Sequence, residues 1–238
     1  MSCLISFESL ECGGKGTTIR LLGNILRAQE VPFVIEREPG GTRYGEGIRA
    51  MLKHPELALP AIESAFANHG DRPETAIGVQ PDFSRTPECE LFLFWASRAQ
   101  FVAEKVKPAL ERGCYVIADR LYDSTYAYQG GGRFEADPEM LEFINFGNAI
   151  AMQRVRPVKT ILLNISVETM RRRLANESSD KMAIFERLGN DFYERAREAY
   201  LHIAREEPDR VIVVNAERSV PEVFEEVLNH LRPILGIR

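Results

Sequence analysis

The chain has 238 residues, of which 45% are hydrophobic and 27% are charged, and its formal net charge is −5. These values are ordinary for a globular protein of one large or two small domains, and the negative charge argues against nucleic acid as a partner. No apolar run approaches the ~20 residues of a membrane span, and the N-terminus lacks the basic start of a signal peptide, so we expect no membrane partner.

Five short, continuously apolar runs predict β-strands that are covered on both faces. They lie at residues 3–7, 31–35, 114–118, 160–165 and 211–214. Segments of helical periodicity alternate with them, the first marked by Ile19, Leu22 and Leu26, the others at residues 91–110, 140–151, 168–175, 191–204 and 221–231. This alternation implies right-handed crossovers and a parallel sheet, so the predicted fold class is α/β.

The first strand leads into a glycine-rich turn, SLECGGKGTT at residues 9–18, and then into a helix. A phosphate-binding loop occupies this position, because backbone N–H groups and the helix N-terminus can hold phosphates there. Lys15 would then reach the β- and γ-phosphates of a nucleotide. The match to G-x-x-x-x-G-K-[ST] is imperfect, since Ser9 replaces the first glycine and Gly16 replaces the hydroxyl residue. Taken alone, the motif also fits a strand–helix turn without a function.

The second strand is followed by EPGGT at residues 38–42, which a tight turn explains without any ligand. Residues 55–88 then interrupt the strand–helix alternation with five of the thirteen prolines and weak periodicity. They predict a long excursion from the core. A solvated loop is the simpler interpretation of this excursion, and a segment that covers a site or meets a partner subunit is the alternative.

Phe94 and Arg98 are four residues apart in the next helix and so share one face of it. An aromatic residue at this spacing is more often part of a core than a platform for a base. The arginine on the same apolar face favours a site, because a buried guanidinium requires anionic or acceptor partners.

The third strand ends in Asp119 and Arg120, followed by the polar and aromatic segment LYDSTYAYQGGGR. Ligands in open α/β sheets bind at the carboxyl ends of the strands, so this pair indicates the same crevice as the glycine-rich turn. An Asp-Arg pair is otherwise often a surface ion pair of little energetic value. Since neighbouring strand-end side chains diverge, we expect the carboxylate to face a metal and the guanidinium a phosphate.

Together and in this order, these elements resemble the thymidylate kinases, and the resemblance runs from the first strand to the last helix. It is carried by FESLECGGKGTT, EREPGGT, LFLFWASRAQ, VIADRLYDSTYAYQGGGR, RPVKTILLNIS and FYERAREAYL. It implies a P-loop nucleoside-monophosphate-kinase fold, with a five-stranded parallel sheet flanked by helices, in one domain over residues 1–238. It also implies a lid at about residues 171–187, a homodimer, and the transfer of phosphate from ATP to dTMP with Mg²⁺, in dTTP synthesis.

The resemblance assigns roles to residues by position. Those for ATP are Leu10, Glu11, Cys12, Gly13, Gly14, Lys15, Gly16, Thr17, Thr18 and Arg172. Those for dTMP are Glu38, Arg49, Phe94, Arg98, Arg120, Ser124, Thr125, Tyr128 and Gln129. The catalytic residues are Lys15, Glu11, Asp119 and Arg120, and the metal residues are Asp119 and Glu38.

Within the implied dTMP site, Phe94 stacks on thymine, Arg98 and Gln129 hydrogen-bond the base edge, and Tyr128 lies under the deoxyribose. The acceptor phosphate lies between Arg49 and Arg120, and Glu11 lies near the sugar and phosphate. Family members whose phosphate loop lacks an arginine supply one from the lid. The candidates here are Arg171, Arg172, Arg173 and Lys181, although an arginine-rich helix end also fits a solvated face.

Two residues depart from the family pattern. Gly16 removes a hydroxyl expected on Mg²⁺, and Thr17 cannot simply replace it, because one helical residue rotates by ~100°. We therefore expect Asp119 and Glu38 to contribute more to the metal, with a modest loss of turnover. Ser9 is expected to adopt a backbone geometry that glycine adopts freely.

Two alternatives to a dTMP kinase remain at this point. One is a kinase for another pyrimidine deoxynucleotide, such as a modified dUMP. The other is a nucleotide-binding protein that has lost catalysis through the altered phosphate loop. Four charged residues that such a protein would not need argue against it: Lys15, Arg98, Asp119 and Arg120.

The four scattered cysteines (Cys3, Cys12, Cys89 and Cys114) predict reduced thiols and a cytoplasmic location.

Overall fold

The computed structural model describes residues 2–53, 85–176 and 179–237, and of residues 179–187 it describes only the backbone. Most of the excursion predicted at residues 55–88 therefore lies outside the described residues. Among those described, no helix is both long and apolar enough to cross a membrane.

A sheet of five parallel strands forms the centre of the protein, in the order β2-β3-β1-β4-β5. The strands are β1 (Leu4–Glu8), β2 (Phe33–Arg37), β3 (Tyr115–Asp119), β4 (Lys159–Asn164) and β5 (Val211–Asn215). The predicted five-stranded parallel sheet is confirmed, with strand ends displaced by at most two residues. Phe7 and Arg37 both lie in register with Asp119, so the segments that follow β1, β2 and β3 emerge side by side.

Helices cover both faces of the sheet. They are α1 (Lys15–Ala28), α2 (Arg43–Lys53), α3 (Pro87–Phe101), α4 (Lys107–Glu111), α5 (Tyr122–Thr125), α6 (Pro138–Ala151), α7 (Val167–Leu174), α8 (Ser179–Glu206) and α9 (Val220–Leu235). One buried cluster packs β1, β4 and β5 against α1, α8 and α9. A smaller cluster on β1 and β3 packs against the end of α3 and against α4.

Three helical features differ from the prediction. The excursion does not extend to Glu88, because α3 begins at Pro87, where the Thr86 side chain accepts a hydrogen bond from the Cys89 N–H. A π-helical turn at Val102–Val106 separates α3 from α4 where one continuous helix was predicted. The segment after Arg120, which was not predicted to be helical, forms α5 and then π-helical turns at Tyr126–Arg133.

A break at Gly189 divides α8. Its φ of 76° and ψ of 168° are non-helical, and glycine reaches this positive φ without steric strain. The part after the break contains the predicted helix at residues 191–204.

Candidate functional site

A cavity of about 410 Å³ lies where the segments after β1, β2 and β3 come together. Its volume is in the range of small-molecule sites in proteins. All nine residues predicted for the acceptor line it: Glu38, Arg49, Phe94, Arg98, Arg120, Ser124, Thr125, Tyr128 and Gln129. Glu11 from the glycine-rich turn lines it too, so the cavity borders the predicted phosphate loop.

The phosphate loop ends at Gly14, whose φ of 92° turns the chain into α1 at Lys15. No side chain caps this end of α1, so the N–H groups of its first turn are available to an anion. Nζ of Lys15 donates to Oγ of Ser9 over 2.9 Å. Burial, together with the charge of Arg120, lowers the pKa of Lys15 to about 8.

Ser9 does not adopt the glycine-like conformation that was expected of it. The residue of this loop with a positive φ outside its glycines is Cys12, at 57°. Ser9 is instead fully buried, and a Cβ on Gly13 would lie 2.6 Å from its Cβ. The close approach therefore depends on glycine at position 13, whereas position 9 accommodates a side chain.

The turn after β2 supports the cavity as well as reversing the chain. The N–H of Gly40 donates to Oγ of Ser97 in α3 over 3.2 Å. Nη1 of Arg49 in α2 donates to the carbonyl of Pro39 over 2.9 Å. These bonds fix the turn between the two helices, which is how Glu38 and Arg49 both reach the cavity.

Arg120 joins the cavity to the phosphate loop. Its φ of 72° is left-handed, and its Nη1 donates to the carbonyl of Ser9 over 3.0 Å and to Oγ of Ser124 over 3.1 Å. Its Nη2 donates to Oε1 of Glu11 over 3.2 Å, while the hydroxyl of Tyr128 donates to Oε2 of Glu11 over 2.5 Å. The guanidinium is thus oriented from several sides.

Glu8, at the buried end of β1, holds the turn that contains Arg120. It accepts from the N–H of Leu121 over 2.7 Å and from Oγ of Ser124 over 2.5 Å. The hydroxyl of Tyr200 donates to the same carboxyl group over 3.1 Å. Burial, together with the charge of Asp123, raises the pKa of Glu8 to about 8.

The two predicted metal residues have different surroundings. The Asp119 carboxylate has no hydrogen bond or ion pair among the described residues, and its charge acts on Lys15. Glu38 is buried and pairs with Arg98 over 2.8 Å, which leaves its Oε1 without a partner. In the described part of the chain, no three Asp, Glu, His or Cys side chains are grouped so that they could hold a metal.

Arg98 meets the requirement that a buried guanidinium have acceptor partners, but its partners are protein atoms. Its Nη2 donates to Glu38 and to Oγ1 of Thr125, both over 2.8 Å, and its Nη1 donates to Oδ1 of Asn148 over 2.9 Å. Its Nε has no partner among the described residues. Nε and the second N–H of Nη1, which has a single acceptor among the described residues, are therefore the donors that remain for a ligand, so the expected contact with a base narrows to these two N–H groups.

The three arginines at the end of α7 also differ in their surroundings. Arg173 donates to the carbonyls of Cys12 over 3.2 Å and Ala216 over 2.8 Å, so it lies against the phosphate loop. Arg172, which was predicted to bind ATP, donates to Thr169 of its own helix over 3.1 Å. Arg171 is exposed, and the side chain of Lys181 lies outside the described residues. The contact of Arg172 with ATP remains a prediction.

Sequence reasoning assigned no role to four residues that support this site: Glu8, Glu90, Arg133 and Tyr200. Glu8 carried a signal, because a carboxylate directly after an apolar strand must find donors when it is buried. Tyr200 lies in α8, 76 residues after Ser124 in the chain. No local pattern could have connected these two residues.

Comparison with known proteins identifies a family. The family model described as thymidylate kinase matches residues 78–227. A thymidylate kinase of Symbiobacterium thermophilum is 38% identical over 238 residues, which cover 100% of this chain and 96% of the relative. One of Kosmotoga olearia is 34% identical over 224 residues, 94% of this chain and 92% of the relative. One of Bifidobacterium longum subsp. infantis is 36% identical over 231 residues, 97% of this chain and 86% of the relative.

Proposed function

This chain belongs to the thymidylate kinase family, and on that basis we propose that it transfers the terminal phosphate of ATP to dTMP in the cavity described above. The products are ADP and dTDP, a step towards dTTP. The observation that carries this proposal is the position of Arg120, whose guanidinium contacts the phosphate loop at Ser9 and the acceptor cavity at Glu11. An acceptor phosphate held there lies next to a nucleotide phosphate at the N-terminus of α1.

The proposed reaction depends on positioning and charge neutralisation, because phosphoryl transfer asks little covalent chemistry of the protein. Arg49 and Arg120 hold the acceptor phosphate so that one of its oxygens can attack. Lys15 and the free N–H groups of α1 neutralise charge on the phosphates of ATP. At the other end of the cavity, Phe94 offers a ring to the base.

Mg²⁺ fits the donor set, and we propose Asp119 as its protein ligand, because that carboxylate has no other partner among the described residues. The ion, when bound, neutralises charge on the β- and γ-phosphates. Glu38 shares one oxygen with Arg98, so its metal role is the smaller one in this proposal. Gly16 offers no hydroxyl, but the space beside it is open.

We propose a homodimer formed through α3 and α6. These helices pack through Trp95 of α3. Its ring centroid lies 5.3 Å from the ring centroid of Phe143, and its Nε1 donates to Oδ1 of Asn148 over 2.9 Å. Their outer surface exposes a group of large apolar side chains, which we call the α3–α6 patch: Phe92, Phe143, Phe146 and Ile150. An apolar patch of this kind on a globular protein marks an interaction surface, and a second copy of the chain is the proposed occupant.

Two further properties belong to the proposal. We propose one domain over residues 1–238, supported by a buried cluster that contains residues from Ile5 to Ile237. The lid is proposed at about residues 171–187, of which residues 177 and 178 and the side chains of residues 179–187 lie outside the described residues. The protein acts in the cytoplasm, supported by its four cysteines, none of which forms a disulfide bond within the described part of the chain.

The test is ATP consumption that depends on added dTMP, measured for the unmodified protein, Arg120→Met and Arg205→Met. Arg205 is exposed, away from the cavity, and pairs with Glu198, so its replacement controls for the loss of one positive charge. We expect Arg120→Met to lose a factor of about 10²–10³ in kcat, as when a donor to developing charge is removed. Arg205→Met keeps full activity. Equal activity in the two variants would contradict the role of Arg120.

A further inference from the structure

Glu90 lies in the first turn of α3 at the base end of the cavity, four residues before Phe94. Its carboxylate is held by Arg133, whose Nε donates to Oε1 over 3.2 Å and whose Nη2 donates to Oε2 over 3.0 Å. Two parallel bonds of this kind fix the orientation of both groups. Glu90 is therefore a fixed acceptor at the edge of the cavity.

Gln129 is the third member of this group. It is buried, lines the cavity, and donates from Nε2 to Oε1 of Glu90 over 3.0 Å. A carboxylate can only accept hydrogen bonds, so it must receive the amide NH₂ and never the amide oxygen. This settles which end of the Gln129 amide faces Glu90. Oε1 of Gln129 has no hydrogen-bond partner among the described residues and is left for a ligand.

We propose that Glu90 is a positioning residue for base selection, acting through the amide of Gln129. The inference rests on the proposed function, since it assumes that a pyrimidine occupies this end of the cavity. Thymine and uracil carry a hydrogen on N3, which the fixed Oε1 of Gln129 can accept. Cytosine has a lone pair on N3, which meets the oxygen as a second acceptor and leaves both groups unpaired. The carboxylate thus favours dTMP over dCMP without touching the base.

Glu90→Gln removes the constraint while keeping the size of the side chain. The new amide can give its oxygen to Arg133 and its NH₂ to Oε1 of Gln129. The Gln129 amide then turns and presents its own NH₂ to the base, which suits the N3 lone pair of cytosine. We expect the ratio of kcat/KM for dTMP to that for dCMP to fall by about tenfold or more, the range for an unmade buried hydrogen bond.

The matched control is Glu88→Gln, which removes the same charge from the same turn of α3 at an exposed position outside the cavity. Kd values for dTMP and dCMP from titration calorimetry accompany the kinetics, because binding stays measurable where turnover of dCMP is low. We expect Glu88→Gln to keep the ratio of the unmodified protein. A Glu90→Gln protein that also keeps that ratio would overturn the proposal.

The Gln129→Leu variant shows whether Glu90→Gln changes the preference for dTMP through the Gln129 amide or by disturbing the cavity as a whole. It should lower the dTMP preference by itself, and adding Glu90→Gln to it should lower the preference no further. If Glu90→Gln does not fold, Gln129→Leu still decides, because an unchanged preference in that variant contradicts the proposal. Failure of the unmodified protein to phosphorylate dTMP would instead overturn the proposed function, so the two failures are distinguishable.

Discussion

Lys15 and Ser9 face each other across the phosphate loop, with Nζ of the lysine donating to Oγ of the serine over 2.9 Å. The serine hydroxyl donates in turn to the carbonyl of Leu10 over 2.6 Å. A glycine at position 9 would offer neither bond. The Ser9 hydroxyl therefore competes with a phosphate of ATP for Nζ of Lys15.

Ser9→Ala should lower the KM for ATP by about tenfold or more, since a hydrogen bond to a charged group contributes ~1.5–3 kcal/mol and is absent when Lys15 turns to a phosphate. Steady-state kinetics with saturating dTMP give the value. The same change in a Lys15→Met background should leave the KM unaltered. A raised KM in Ser9→Ala alone would show that the serine helps Lys15 hold the phosphate.

The pH dependence of kcat/KM for ATP should report Lys15. Its pKa is lowered to about 8, so the free enzyme carries this charge below pH 8 and loses it above. We expect kcat/KM to fall about tenfold per pH unit above pH 8. Glu8 also has a pKa of about 8, so the profile is compared in Glu8→Gln and Lys15→Arg. The fall should persist in the first variant and disappear in the second, and the reverse would assign it to Glu8.

Gly16→Ser should improve the use of Mg²⁺. A Cβ at position 16 meets no atom within 4 Å, so the serine fits without strain and restores a hydroxyl at the start of α1. We expect a severalfold lower Mg²⁺ concentration for half-maximal turnover, with equal or higher kcat. Gly16→Ala is the matched control, because it adds the same Cβ and also raises the helix propensity above that of glycine, but brings no hydroxyl. If the serine and alanine variants need the same Mg²⁺ concentration for half-maximal turnover, the missing hydroxyl at position 16 does not impair the use of Mg²⁺.

The α3–α6 patch should hold two copies of the chain together. Phe146 is 65% exposed, so Phe146→Glu places a charge in the proposed interface without disturbing the core. Sedimentation equilibrium should give twice the chain mass for the unmodified protein and the mass of one chain for the variant. Tyr44→Glu, at another exposed aromatic residue, should remain dimeric. A monomeric unmodified protein would contradict the proposed dimer.

Much of the fold follows from the sequence, because buried parallel strands appear as continuous apolar runs. All five strands and their parallel arrangement were predicted on this basis. The start of α3 was missed because the proline that suggested a loop, Pro87, is also the preferred first residue of a helix. The π-helical turns after Thr125 were missed because glycine-rich sequence predicts no helix.

The sequence predicted which residues line the cavity, but it did not predict which of their side chains bond to one another. Glu38 and Arg98 were both placed in the cavity, but the ion pair between them joins residues 60 positions apart and left no sequence signal. Glu90, to which the sequence assigned no role, bonds with Gln129 across 39 positions, and this hydrogen bond left no sequence signal either. Hydrogen bonds between distant side chains depend on packing that periodicity does not encode.

The product formed from each acceptor shows whether the protein transfers phosphate from ATP to dTMP. The protein is incubated with ATP, Mg²⁺ and one of dTMP, dUMP, a 5-modified dUMP, dCMP, dGMP or UMP, and the nucleotides are separated by chromatography. We expect dTDP and an equal amount of ADP with dTMP, and far less product with dCMP, dGMP or UMP. Nucleotide binding without a diphosphate product from any acceptor would contradict it.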